Sequence, residues 1–179
     1  MIAYAITDPS TLNFETLVTD IKRFASKSDM IVYRDKATEN YALNAKQFML
    51  EAQKHMNVNT FLHTDYKLAK KLHADGVHLQ STQLNDIVKA KALNLLVVVS
   101  THSLEDALEA QYLGADMLTF SPIFDTPNKG KPQGLKALTH MVSLISIPVI
   151  ALGGIISEKH ISLCEEHGAE GFASIRYFS

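Results

Sequence analysis

Eight short apolar runs of β character alternate with seven segments of helical period along the whole chain, and that alternation constrains the fold more than any other feature. The runs are Ile2 to Ile6, Met30 to Tyr33, Thr60 to Leu62, Gly76 to Leu79, Leu95 to Val99, Met117 to Phe120, Pro148 to Leu152 and Gly171 to Ile175. The helical segments fall near residues 14–27, 40–56, 65–73, 83–93, 103–113, 134–145 and 157–167. Strands joined through helices run parallel with right-handed crossovers. In the second helical segment Leu43, Phe48, Met49 and Ala52 gather on one side and Asn44, Lys46, Gln47 and Glu51 mostly on the other, so one face packs on a sheet. Three helices end in related phrases, Ala74-Asp75-Gly76, Gly114-Ala115-Asp116 and Gly168-Ala169-Glu170-Gly171, each leading straight into a strand. Glycine permits the left-handed backbone of a helix end there, and alanine permits close approach to the sheet.

Eight such steps predict a (β/α)8 TIM barrel, class α/β, with a doubly wound open sheet as the alternative. The residues after the first strand, Thr7-Asp8-Pro9-Ser10, carry no glycine-rich dinucleotide fingerprint, which favours the barrel. With 179 residues, 46% of them hydrophobic, the chain suits a single domain over 1–179 and is short for such a barrel. It stops at Tyr177-Phe178-Ser179, just past the eighth strand, so the final helix is missing. The seam that helix would cover is then exposed or covered by a neighbouring molecule, and a homodimer is the expected cover for apolar helix faces.

A net charge of −2 gives no general attraction to nucleic acid or anionic lipid, so an anion must be held by a local cluster and the partner is a small molecule. The lone Cys164 cannot form an internal disulfide, and neither an apolar run of membrane length nor a signal peptide is found. A cytoplasmic setting is expected.

In a barrel the chemistry sits at the carboxyl ends of the strands. After the second strand come Tyr33-Arg34-Asp35-Lys36, where extended backbone puts Arg34 and Lys36 on one side, as a bidentate fork and a point charge for an anion. The alternative is a solvated pair with Asp35 between them. His63 and His78 end the third and fourth strands without a third ligand at metal spacing, and packing or hydrogen bonding is the favoured role. Asp65 suits the N-cap of the following helix. After the fifth strand Ser100-Thr101-His102-Ser103 reads as a polar turn in which Ser103 caps the next helix and Ser100 points into the mouth. The loop from Ser121 to Gly134 is too long for a simple turn and suits a ligand or a lid. Gly153-Gly154 would let backbone N–H groups approach a phosphate, and Ser174-Ile175-Arg176 would add N–H groups and a guanidinium.

Together these phrases resemble the thiamine phosphate synthase and TenI family, from Tyr4-Ala5-Ile6-Thr7-Asp8 to Ile175. The matching phrases are Tyr33-Arg34-Asp35-Lys36, Ala74-Asp75-Gly76-Val77-His78-Leu79, Ser100-Thr101-His102-Ser103-Leu104-Glu105, Gly114-Ala115-Asp116, Ser121-Pro122-Ile123-Phe124-Asp125-Thr126, Pro148 to Ile155 and Gly168-Ala169-Glu170-Gly171. The resemblance implies a barrel that binds thiazole phosphate and, in true synthases, the pyrophosphate ester of hydroxymethylpyrimidine with Mg²⁺. There the pyrophosphate leaves and the thiazole nitrogen captures the pyrimidine carbocation. By position Arg34, Lys36, Ser100 and Lys129 match the pyrophosphate side, with Arg34, Lys36 and Lys129 in the catalytic role. Thr126, Gly153, Gly154 and Ile175 match the thiazole-phosphate side.

The sequence also departs from the family pattern. The Asn-Asp after the third strand is His63-Thr64 here, and Gly-Gln-x-Asp after the fourth is Gln80-Ser81-Thr82-Gln83, so both metal aspartates are absent and neutral Thr64 and Gln83 would hold Mg²⁺ poorly. No metal ligand is assigned, and His63 is grouped with the substrate-binding candidates. A pyrimidine-contacting glutamine is Val32, the second threonine of the Thr-x-Thr-Lys loop is Asn128, and the usual phosphate-side serine is Arg176. TenI-type tautomerases also lack the metal pair, but their catalytic histidine corresponds to Pro122. Three readings stay open: a divergent synthase, a TenI-like thiazole phosphate isomerase or regulator, and a binder without catalysis.

Overall fold

The computed structural model describes residues 1–179 and forms a closed barrel of eight parallel strands arranged in chain order. They are β1 (Ile2–Ile6), β2 (Met30–Tyr33), β3 (Asn59–His63), β4 (Gly76–Leu79), β5 (Leu96–Thr101), β6 (Met117–Phe120), β7 (Val149–Leu152) and β8 (Gly171–Ser174). Pairing of β1 with β8, from Ile2 opposite Gly171 to Ala5 opposite Ser174, closes the cylinder and excludes the open sheet. Seven helices surround it: α1 (Leu17–Ala25), α2 (Tyr41–Ala52), α3 (Tyr66–Lys71), α4 (Asp86–Ala92), α5 (Leu104–Tyr112), α6 (Gly134–Leu144) and α7 (Glu158–Glu166). None is long and apolar enough to cross a membrane.

Some boundaries move from their sequence-based places. β5 runs on to Thr101, so Ser100 belongs to the strand and not to a turn; it pairs with Thr119 on β6. The last inward residues of a barrel strand face the mouth, and polar side chains there hide the strand from a hydropathy reading. The segment expected as one helix over 83–93 is a single 3-10 turn at Ser81–Gln83 followed by α4, and another such turn at Phe14–Thr16 precedes α1.

Alternation along each strand divides the apolar residues into two clusters. Tyr4, Ile6, Met30, Val32, Phe61, Val98, Ile150 and Ala173 fill the barrel, while the larger cluster lies between the sheet's outer face and the helices. Gly76 makes the filling fit: a Cβ there would lie 2.3 Å from the Phe61 ring and 2.5 Å from the Leu96 carbonyl oxygen.

The aspartates that lead into β2, β4 and β6 latch the opposite end of the barrel. Asp29 accepts from the Ala3 N–H at 2.8 Å, Asp75 from the Thr60 N–H at 2.7 Å and the Thr60 hydroxyl at 2.9 Å, and Asp116 from the Val97 N–H at 2.7 Å. Each carboxylate satisfies a donor at the start of the preceding odd strand, which the ladder leaves without a partner. Lys91 adds an ion pair to Asp116 at 2.8 Å. Two of the three repeated phrases, through Asp75 and Asp116, thus carry a hydrogen-bonding role beyond the glycine conformation expected of them; Gly114 and Gly168 do adopt positive φ, at 97° and 88°.

Past β8, Tyr177 and Phe178 pack over the outer face of that strand. Phe178 is fully buried, stacks on Phe172 at 5.6 Å between ring centroids, and offers its carbonyl oxygen to Arg23 Nε of α1 at 3.3 Å. Tyr177 meets both rings edge-on.

Candidate functional site

A cavity of about 330 Å³ opens at the carboxyl ends of the strands, above the apolar filling. Arg34 and Lys36 both line it, as the i, i+2 spacing requires. Their exit from β2 is held by Thr7, whose hydroxyl donates to the Val32 carbonyl at 2.9 Å and accepts from the Arg34 N–H at 3.2 Å. The Tyr41 hydroxyl bridges the next pair of strands, donating to the Tyr33 carbonyl and accepting from the His63 N–H, both at 2.9 Å. Asp35 does not neutralise the two cations: its carboxylate accepts from the Ala37 and Thr38 N–H groups at 2.9 and 3.1 Å and so shapes its own loop.

Lys129 reaches the same cavity from the long loop after β6. Arg34, Lys36 and Lys129 take part in no ion pair, and no carboxylate lines the cavity. Desolvation, and then the neighbouring charges of Arg34 and Lys129, lower the Lys36 pKa below its ordinary value. Three like charges gathered without counter-charge are unfavourable in the empty protein and favourable once an anion enters.

The inner wall is polar and uncharged. His63 and His78 sit opposite each other in the β3–β4 ladder with ring centroids 6.0 Å apart. Burial, and then the charges around them, push both imidazole pKa values down from 6.5 to about 3, so both are neutral at neutral pH. His78 stands between two hydroxyls: Tyr4 Oη lies 2.9 Å from Nδ1 and Ser100 Oγ 2.9 Å from Nε2. The His63 ring has no hydrogen-bond partner within the protein, and Nδ1–H of His102 donates to the Ser121 carbonyl at 3.0 Å.

The long loop folds back onto β7. The Ile123 and Phe124 N–H groups donate to the Leu152 and Gly153 carbonyls at 2.9 and 3.0 Å, and the Phe124 ring stacks on His160 of α7. Gly153 and Gly154 adopt φ of 100° and 70°, and a Cβ on either would lie within 2.7 Å of the loop, against Pro122 and Asp125. Their want of side chains thus seats this loop as well as baring backbone. Beneath it, Thr126, Gly153, Gly154, Ile175 and Arg176 help to line a smaller hollow of about 80 Å³ that shares Thr126, Leu152, Gly153 and Ile175 with the main cavity.

The structure brings Arg34, Lys36, His63, Ser100, Thr126, Lys129, Gly153 and Ile175 to the main cavity and Gly154 and Arg176 to the smaller one. Asn128 lines neither; it adopts φ 62° at the tip of its loop, where an amide side chain tolerates left-handed backbone. Gln80, Ser81 and Thr82 line the cavity although sequence reasoning named them only as departures, and nothing in the apolar run of β1 marked Tyr4 as a polar partner. At the places of the two family aspartates, Thr64 has φ 68°, while the Gln83 amide donates to the Thr64 carbonyl and accepts from the Gln80 N–H, both at 3.1 Å.

Fold and site together define a (β/α)8-barrel protein with a cationic pocket at the strand carboxyl ends. The family model described as thiamine monophosphate synthase matches residues 3–178, and the chain belongs to that family. A protein of Aquifex aeolicus (strain VF5), described as a candidate second thiamine-phosphate synthase, is 36% identical over 180 residues, covering 98% of this chain and 96% of its own. The thiamine-phosphate synthase of Syntrophomonas wolfei is 29% identical over 181 residues, covering 96% and 85%. Among solved structures, the thiamine phosphate pyrophosphorylase from Pyrococcus furiosus superposes with a TM-score of 0.82 at 28% identity, covering 97% of this chain and 85% of that one.

Proposed function

We propose that this barrel binds a phosphorylated thiazole in the joined hollows at its mouth and couples it to hydroxymethylpyrimidine pyrophosphate. The observation that carries the reading is a cavity with three unpaired cations and no lining carboxylate, continuous with a small glycine-walled hollow. The phosphate ester would lie against Gly153, Gly154 and Arg176, with the pyrophosphate against Arg34, Lys36 and Lys129. Charge grows on pyrophosphate as its bond to the pyrimidine methylene carbon breaks, and cations already in place stabilise that growth without reorganising. The thiazole nitrogen forms the new bond to that carbon.

We propose further that the anions are met by these side chains and not through Mg²⁺. The ion favours charged oxygen ligands in octahedral array. Thr64 and Gln83 are neutral, and both ends of the Gln83 amide are engaged in joining the β3 and β4 loops, so this donor set does not fit the ion. The same observation favours a second reading, in which the chain binds the phosphorylated thiazole without catalysis.

Calorimetry with thiazole phosphate in the presence of a chelator tests the binding, which is expected to be unaffected by added Mg²⁺. Incubation with both phosphorylated precursors, followed by chromatography for thiamine phosphate, separates the readings: product supports coupling, and binding without product supports the second. Absence of binding overturns both.

A further inference from the structure

We propose that Tyr4 and His78 are positioning residues that fix the direction of the hydrogen bond to Ser100 Oγ and so leave the serine hydrogen free to donate into the cavity. The three side chains form one file through the barrel, from β1 across the interior to β4 and then to β5 at the mouth. Tyr4 is fully buried, and its hydroxyl has one partner, His78 Nδ1 at 2.9 Å. Were Nδ1 protonated, it would donate to the tyrosine oxygen and leave the phenolic O–H buried with no acceptor, an arrangement that protein interiors avoid. The Tyr4 O–H therefore donates to Nδ1, the imidazole proton resides on Nε2, and Nε2–H donates to Ser100 Oγ at 2.9 Å. With an oxygen lone pair so engaged and no acceptor for its own hydrogen within the protein, Ser100 presents that hydrogen to the cavity it lines.

The groups facing His78 agree with a neutral ring that cannot reverse the file. Tyr4 stacks on it at 5.6 Å, His63 lies edge-on at 6.0 Å, and the positive charge of Arg34 opposes protonation. A serine free to rotate would serve ligand donors and acceptors alike. One held in this way keeps its hydrogen for a ligand acceptor, such as an oxygen of a phosphoryl group, and so adds a directed donor to the charges of Arg34 and Lys36. The identity of that acceptor rests on the anion-binding reading above; the direction of the file does not.

Long-range proton–nitrogen NMR of the ligand-free protein reads the direction. The His78 signals, assigned by their loss in His78→Gln, are expected to show an unprotonated Nδ1 and a protonated Nε2 without titration between about pH 5.5 and 8. Tyr4→Phe is expected to move the Nδ1 resonance toward that of a nitrogen without a hydrogen bond, while circular dichroism reports an intact barrel. A protonated Nδ1, or an imidazolium at neutral pH, overturns the proposal. Calorimetry with inorganic pyrophosphate then reads the donor. Ser100→Ala is expected to weaken binding roughly tenfold or more, the scale of one hydrogen bond to a charged group, and unchanged affinity overturns the donor role. If the wild-type protein fails to bind pyrophosphate, the anion reading falls while the NMR result still decides the file.

Discussion

Lys36 lies two residues past Arg34, and on extended backbone this spacing sends both side chains into one hollow that Lys129 enters from another loop. Their mutual repulsion is relieved by an anion, so Lys36→Ala is expected to lower affinity for inorganic pyrophosphate by about tenfold or more, with a weaker dependence on salt than the wild type, measured by calorimetry. Arg34 and Lys36 were legible because strand position and spacing alone put them there. The two histidines were legible only as residues at strand ends. Their neutrality comes from burial and from cations distant in sequence, and it has a measurable consequence. When unfolded they protonate near 6.5, whereas the folded barrel holds them neutral to about 3, so the unfolded chain takes up protons that the barrel refuses. Stability is accordingly complete above about pH 6.5 and falls as the pH drops toward 3. Urea midpoints measured from about pH 7.5 down to 4.5 are expected to follow that course, and His63→Asn to flatten part of the fall.

At the scale of elements, aspartates preceding β2, β4 and β6 tie each strand to the one before it, and two of them, Asp75 and Asp116, give a repeated phrase a role that glycine conformation alone does not supply. Asp75 satisfies both the N–H and the hydroxyl of Thr60 at the start of β3. Asp75→Ala is expected to cost about 1–3 kcal/mol in urea unfolding, the usual penalty for leaving such donors without a partner. Helix starts were readable from local chemistry: Asp65 accepts from the Leu68 N–H and Ser103 from the Asp106 N–H, as their positions suggest. The Asp106 carboxylate, three residues past the Ser103 cap, reaches back to the His102 N–H and not to that of Ser103. The end of β5 was not readable, because a strand residue that faces the mouth looks like a turn residue until its neighbour on β6 is known.

For the molecule as a whole, closure depends on volume inside the cylinder and on cover outside it. Gly76→Ala would drive a methyl group against the Phe61 ring and the Leu96 backbone, and it is expected to destabilise the barrel by about 3 kcal/mol or more, read from the urea midpoint. On the outside, Phe178→Ala would empty the place stacked on Phe172 beside α1, with an expected loss of about 3–5 kcal/mol by the same measurement. Retained stability would show that the outer face of β8 needs no such cover. By itself the sequence determined the order of strands and helices, the end of the barrel at which the cationic cavity opens, and the family, because periodicity, capping and motif order are local properties of a chain. Only the tertiary structure decided that Tyr4, His78 and Ser100 form one file, that Gln83 is engaged in joining two loops, and that Phe178 stacks on Phe172 over the outer face of β8. Each of these depends on residues far apart in the chain meeting across a closed cylinder, and no local pattern records which pairs will meet.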